Sequence, residues 1–304
     1  MITLATGLSY LDLRFQGFPR VIATAVLHGS GGVALVDPGP SSALASLRAT
    51  LGDAGLAISD VTALLLTHIH LDHAGATGTL VRENPRLRVY VHEKGAPHLI
   101  NPNKLLASAT RLYGDAMDRL WGEVVPVPTD AIVRLTGEER VGVGSRDLEV
   151  AYTPGHASHH VSYFSGDAGV ALVGDTAGIC VVPGGYVLPP TPPPDIDLEA
   201  WRGSLARIGR WSPDTLFLTH FGPSAPAAAH LTALADHLEL AGRLVRESLA
   251  REGSDEARES WFADQIRGEL RRRMNEADAQ AYELAGRFDL SWRGLARYWR
   301  KRKL

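Results

Sequence analysis

The sequence predicts an α/β fold: a sheet-rich body with helices outside, followed by a helical extension at the C-terminal end. Three observations carry this. Through about residue 223, short apolar runs rich in Val, Leu and Ile alternate with helical patterns and then give way to further strands. From residue 225 the chain is rich in Ala, Leu, Arg and Glu and carries no strand signal. Several of the strand-like runs also end in His or Asp, so their ends read as platforms for a functional cluster.

Taken in order, residues 2–15 and 21–28 read as strands joined by Gln16-Gly17-Phe18-Pro19. His28-Gly29-Ser30-Gly31-Gly32 reads as a hairpin turn into a strand over 33–36, which ends at Asp37-Pro38-Gly39. Ser41 or Ser42 offers the cap for a helix through about Leu51. Residues 60–66 form the next strand, and the segment after His73 starts a helix to Glu83, stopped by Asn84-Pro85. A short strand over 89–91 follows, then helical patterns over 93–100 and 104–121. Strands are expected over 124–127, 131–135, 147–152, 161–164 and 170–173. The run of prolines within 183–195 suits an irregular, stiffened loop. A helix over 197–209 and a strand over 215–218 complete the body. Helices over 225–250, 255–285 and 291–302 make the extension. The expected division is therefore 1–223 and 224–304.

Composition excludes several classes. The chain of 304 residues can hold a large core plus an appendage. A net charge of −3 gives no strong pull toward nucleic acid or an anionic membrane. The charge is uneven, however: residues 241–304 hold 15 Lys+Arg against 11 Asp+Glu, a surplus of +4 that leaves −7 for the rest. The segment from Trp292 to Lys303 carries six positive charges and no acid. It reads either as a solvated helix with aromatics packed inward or as an anion contact. Cys180 is the only cysteine, so no disulfide can form within the chain, and its apolar surroundings predict a buried thiol. No basic stretch followed by an apolar run opens the sequence, and no apolar run approaches membrane-spanning length. The expected compartment is the cytoplasm.

The chemistry concentrates in Thr67-His68-Ile69-His70-Leu71-Asp72-His73, which follows the apolar run Leu64-Leu65-Leu66. Residues two apart in an extended chain point the same way, so His68 and His70 project from one face at the strand's end. Asp72 and His73 arrive together on the turn beyond. Imidazole nitrogen and carboxylate oxygen form the ligand set expected for zinc, iron or manganese. Such a spacing arises by accident roughly once in a thousand chains of this composition, so scattered loop histidines are the weaker reading. Three further strand ends repeat the pattern: His156 in Thr-Pro-Gly-His, Asp175 in Gly-Asp-Thr, and His220 in Thr-His-Phe-Gly-Pro. Asp37 also ends a strand. It reads as a hydrogen-bonding partner behind the cluster or as an acceptor for turn amides, the first being favoured.

These residues, with Val36-Asp37-Pro38-Gly39 ahead of them, resemble the metallo-β-lactamase superfamily over roughly residues 20–223. The resemblance implies an αββα sandwich of two mixed sheets, helices outside, with the site in a groove at one edge. It implies that His68, His70 and His156 hold one divalent metal ion, that Asp72, His73 and His220 hold a second, and that Asp175 bridges them. Zinc is the expected ion, with iron or manganese as alternatives. Under those roles a metal-bridged hydroxide attacks a small ester, thioester or lactone, and Asp72 orients it or moves its proton. No side-chain nucleophile is needed, and the sequence has no Gly-x-Ser-x-Gly elbow.

Length and helical end resemble the glyoxalase II-like thioesterases. Superfamily lactonases that carry a Tyr shortly after the bridging Asp are a partial fit, since Thr176-Ala177-Gly178 follows Asp175 and the nearest tyrosine is Tyr186. Two other classes stay open: the superfamily's mono-iron persulfide dioxygenases, and a phosphodiesterase or nuclease with the basic end as clamp. The charge balance weighs against nucleic acid, so the expected partner is a small molecule without a membrane, and the helical end suits a homodimer interface or a lid. The expected pocket walls are the 101–122 insertion, with Tyr113, Met117 and Trp121, and the 181–195 loop. His160, and His159 beside it, read as hydrogen-bond partners behind the cluster or as packed residues. His28, His92, His98, His230 and His237 read as structural or surface residues.

Overall fold

A computed structural model describes residues 1–143 and 146–302. Its first sheet takes seven strands in chain order: β1 (Ile2–Ala5), β2 (Leu8–Asp12), β3 (Ala23–Gly29), β4 (Gly32–Val36), β5 (Val61–Leu65), β6 (Arg88–His92) and β7 (Ile132–Leu135). The pairs from β1 to β4 are antiparallel and those from β4 to β7 parallel. Parallel neighbours need crossovers, and helices supply them. These are α1 (Leu44–Gly52), α2 (Leu71–Ala74), α3 (Thr77–Glu83), α4 (Ala96–Ile100), α5 (Asn103–Tyr113) and α6 (Met117–Trp121).

The second sheet comprises β8 (Arg140–Val143), β9 (Arg146–Tyr152), β10 (Val161–Ser165), β11 (Val170–Leu172), β12 (Thr215–Leu218) and β13 (Gly222–Ser224), in the order β13-β12-β11-β10-β9-β8. Only β11 and β12 are parallel there, and α7 (Leu198–Arg210) lies between them in sequence. Asp197 caps α7 by accepting from the amides of Glu199 and Ala200, both at 3.1 Å. Four helices follow: α8 (Ala227–Leu249), α9 (Asp255–Arg271), α10 (Glu276–Gly286) and α11 (Phe288–Lys301).

Side-chain alternation builds the layers. Val33 and Leu35 of β4 and Leu64 of β5 face outward and pack with Leu47, Leu51 and Leu80 of the helices. Their neighbours Ala34, Val36, Ala63 and Leu65 face inward, onto Val150, Tyr163, Leu172 and Phe217 of the other sheet. The outer face of the second sheet, Val173, Leu216 and Leu218 among it, packs with Trp201, Leu234, Phe262 and Trp292. Residues on both sides of position 223 therefore share one core. The result is the sandwich of two mixed sheets with helices outside and a helical C-terminal region.

Several element ends differ from expectation for local reasons. Residues 2–15 make two strands because the chain turns at Gly7, whose φ of +67° only glycine adopts freely. Residues 124–127 join no strand; the Val127 amide instead donates to the carbonyl of Leu99. Strands β8 and β13 carry no clear strand signal, because Gly142 interrupts the first and Gly222 and Pro223 depress strand propensity in the second. The helix over 104–121 breaks at Gly114, and that over 255–285 breaks before Asn275, which caps α10. Neither Ser41 nor Ser42 caps α1: their hydroxyls donate to the carbonyls of Gly75 and Leu120. Lys303, the last charge of the basic end, lies outside the described residues.

Candidate metal centre

Strand ends bring the seven residues to one edge of the sandwich. His68 and His70 follow β5, while Asp72 and His73 ride together on the turn beyond, which is the single helical turn α2. His156 follows β9, Asp175 sits in a 3-10 turn after β11, and His220 follows β12. Two glycines permit the close approach. Gly155 takes φ +136° against the backbone of Trp201, and Gly174 takes φ +46° against the side chains of Thr67 and His160. A Cβ at either position would collide with those atoms.

Within the cluster the donor atoms converge. His68, His70 and His156 each offer a ligand atom within 4.8 Å of the others, as do Asp72, His73 and His220. His68, His73 and Asp175 form a third such group that links the two. The Nε2 atoms of His68 and of His156 each lie 2.9 Å from Nδ1 of His70. With metal–nitrogen bonds of about 2.0–2.1 Å, two nitrogens on one ion stand about 2.9 Å apart at a right angle and about 3.3–3.4 Å apart at the tetrahedral angle, so 2.9 Å lies at the short end of what one ion allows. The first group fits a metal on that measure.

Asp175 faces both groups. Its Oδ1 lies 3.2 Å from His73 Nε2 and 3.5 Å from His220 Nε2, and its Oδ2 lies 3.4 Å from His156 Nε2. Oδ1 is buried and accepts no hydrogen bond among the described residues. A buried carboxylate oxygen without a donor is costly, and a cation would satisfy it. Asp72 approaches from the other side, with Oδ2 3.4 Å from His220 Nε2.

The outer ring nitrogens are pinned by oxygen acceptors, which aims the inner ones at the cluster. His156 Nδ1 donates to the Pro190 carbonyl at 2.8 Å and His220 Nδ1 to the Val21 carbonyl at 2.6 Å. His73 Nδ1 donates to Asp37 Oδ2 at 2.7 Å. Thr67 Oγ1 donates to the same carboxylate at 2.7 Å, leaving its lone pair for His68 Nδ1 at 3.1 Å. Asp37 thus takes the place behind the cluster that was favoured for it, and it also accepts the Thr67 amide.

Charge divides the two groups. Burial pushes His70 down to about 4 and holds His68 and His156 below the usual histidine range, so that set is neutral and its lone pairs are free. For His73 burial works against charging, yet the carboxylates of Asp175, Asp37 and Asp72 outweigh it and push the group well up. Burial also opposes ionisation of Asp72, but His73 and His220 hold it at about 2. In the second group, Asp72 within it and Asp175 beside it hold His73 and His220 above the usual histidine range, so that the site favours positive charge.

A cavity of about 610 Å³ opens from the cluster. The expected walls are partly right: Tyr113 and Trp121 line it, as do Pro190 and Pro192 to Pro194, whereas Met117 packs into the helical layer instead. Phe15, Phe18 and Ile22 near the N-terminus and Leu284, Arg287 and Leu290 of the C-terminal helices line it too, and no local signal marks them. His98 and His159 also face it. His160 donates to or accepts from Thr153 Oγ1 at 3.0 Å and stacks 5.0 Å from the His68 ring. Tyr186 is buried against His237, rings 3.8 Å apart, so it does not serve as a tyrosine facing the cluster. Cys180 is buried, and burial pushes its thiol up. In the basic end Trp292 and Tyr298 are buried, while Arg293, Arg300 and Arg302 pair with Glu259, Asp255 and Glu199.

The model of the metallo-beta-lactamase superfamily matches residues 17–220. A metallo-beta-lactamase fold-containing protein of Sulfurisphaera tokodaii is 28% identical over 212 residues, 69% of this chain and 76% of that protein. A hydroxyacylglutathione hydrolase of Synechococcus is 30% identical over 149 residues, and the match covers 48% of this chain but only 45% of that enzyme. Among solved structures, a metallo-beta-lactamase family protein from Thermus thermophilus shares the fold with a TM-score of 0.74 at 24% identity, covering 99% of this chain and 95% of that one. The chain belongs to the metallo-beta-lactamase superfamily and is a metal-dependent hydrolase of that fold.

Proposed function

We propose that the protein is a dinuclear hydrolase acting on a small ester, thioester or lactone. The observation that carries this reading is Asp175, whose two oxygens face different histidine groups and one of which is buried without a donor. His68, His70 and His156 would hold one ion, and Asp72, His73 and His220 the other, with Asp175 between them. Zinc suits a set so rich in imidazole. The completeness of the second group favours two ions over a single iron. When bound, the ions would act as Lewis acids and lower the pKa of a shared water toward neutrality.

The chain's own residues do the rest. Of the two cluster carboxylates that line the cavity, Asp72 is the more exposed, its side chain 27% against 5% for Asp175, so it can orient a nucleophile and accept its proton. The carbonyls of Val21 and Pro190 and the carboxylate of Asp37 hold the rings in one tautomer. Similarity to a hydroxyacylglutathione hydrolase supports a thioester within the substrate class. In metal-loaded protein, Asp72→Ala should lower turnover on a panel of thioesters and lactones by about 10²-fold or more, with the circular dichroism spectrum unchanged. Near-normal turnover in that variant would contradict the assignment.

A further inference from the structure

The cavity carries charge that the metal cluster does not use. Five cations line it, and three are already engaged. Lys94 donates to Tyr152 Oη at 2.8 Å, Arg119 donates to Gln16 Oε1 at 3.2 Å, and Arg287 grips Asp289 through bonds of 2.9 and 2.7 Å. Lys104 and Arg111 are not engaged: among the described residues neither has a carboxylate or hydrogen-bond partner. Seven residues apart on α5, they sit two turns from each other on one helix face. Ser108, Leu105 and Leu112 share the cavity wall with them.

Stability does not explain that pair. Exposed cations cost little in water, but two of the same sign on one wall gain nothing from each other. Their field does act on whatever enters, favouring a negative group at that wall. Asp195, a carboxylate that also lines the cavity, is taken by the Ser158 hydroxyl at 2.6 Å. The rest of the lining away from the cluster is largely carbon, with Phe15, Leu112, Leu120, Trp121 and Leu290 prominent. Apolar walls with a few convergent polar groups are what a ligand with an apolar body and one charged end requires.

We propose that the substrate is an amphiphilic anion: an ester or thioester whose acyl arm lies along these apolar walls and whose other arm bears a carboxylate or phosphate held by Lys104 and Arg111. This rests on the hydrolase reading and names the substrate class of the same cavity. Both residues hold the substrate rather than take part in bond breaking. They favour anionic over neutral substrates by charge-assisted hydrogen bonds.

Calorimetric titration of the metal-loaded protein with decanoate, decyl phosphate and decanol tests it. At least one anion should bind tenfold or more tightly than the alcohol, and the larger margin identifies the anionic group. Lys104→Ala/Arg111→Ala should remove that margin and leave decanol binding unchanged; alanine at exposed helix positions keeps α5 intact. Equal binding of anions and alcohol would overturn the proposal. So would a margin that survives the double substitution, which would put the anion on the metal cluster. Hydrolysis of decanoyl thioesters with neutral and carboxylate-bearing thiol arms separates the two readings. Turnover indifferent to charge removes this proposal and leaves the hydrolase standing. Binding with the predicted charge preference but no turnover of any thioester, lactone or ester removes the hydrolase alone.

Discussion

Asp37 adopts φ +53°, a left-handed conformation that Asp and Asn tolerate better than most residues. Its fully buried carboxylate accepts from the Thr67 amide and from the side chains of Thr67, His73 and Thr219, at 2.7 to 2.8 Å. Oδ1 takes the amide and Oδ2 the three side-chain donors, which come from the ends of both sheets. Asp37→Asn keeps the backbone preference but puts an NH2 group against three donors. That substitution should weaken metal retention by about 10- to 100-fold, read by competition with a chromogenic chelator. Unchanged affinity would mean that Asp37 serves the fold and not the His73 group. The sequence made the seven cluster residues legible because each follows an apolar run, and a strand end fixes where a side chain points. The supporting threonines were less visible, although Thr precedes His in both Thr67-His68 and Thr219-His220.

At the scale of elements, α7 shows how packing reaches the cluster. Trp201 is fully buried, donates through Nε1 to the Thr176 carbonyl at 2.7 Å, and meets the His156 ring edge-on at 5.7 Å. It therefore braces the turn that carries Asp175 as well as the loop that carries His156. Trp201→Ala should cost about 3–5 kcal/mol in denaturant unfolding. A loss below about 1 kcal/mol would show that the site collapses around the gap. Strands with steady apolar character, such as β4 and β5, were readable from their pattern. β8 and β13 were not, since pairing with β9 and β12, not composition, makes them strands. The cavity walls were legible only on α5, α6 and the proline loop. Phe15 and Leu290 meet across one void although the chain between them is nearly its whole length, and no local pattern records such a meeting.

Across the whole molecule, three apolar layers hold two sheets and their helices together, and the C-terminal helices close one side of the cavity. The basic end illustrates how a charge run resolves in three dimensions. Trp292 and Tyr298 are buried, and Arg293, Arg300 and Arg302 meet acids on α7 and α9, a solvated face of the kind exposed ion pairs make at about 0–1 kcal/mol each. No helix among the described residues is long and apolar enough to cross a membrane. The dinuclear proposal puts two metal ions at this edge of the sandwich with Asp175 between them. Elemental mass spectrometry on protein purified without chelator tests it most directly. About two divalent ions per chain are expected, falling to about one in His220→Ala. A single ion in the unaltered chain, or none after metal is added back, would contradict it.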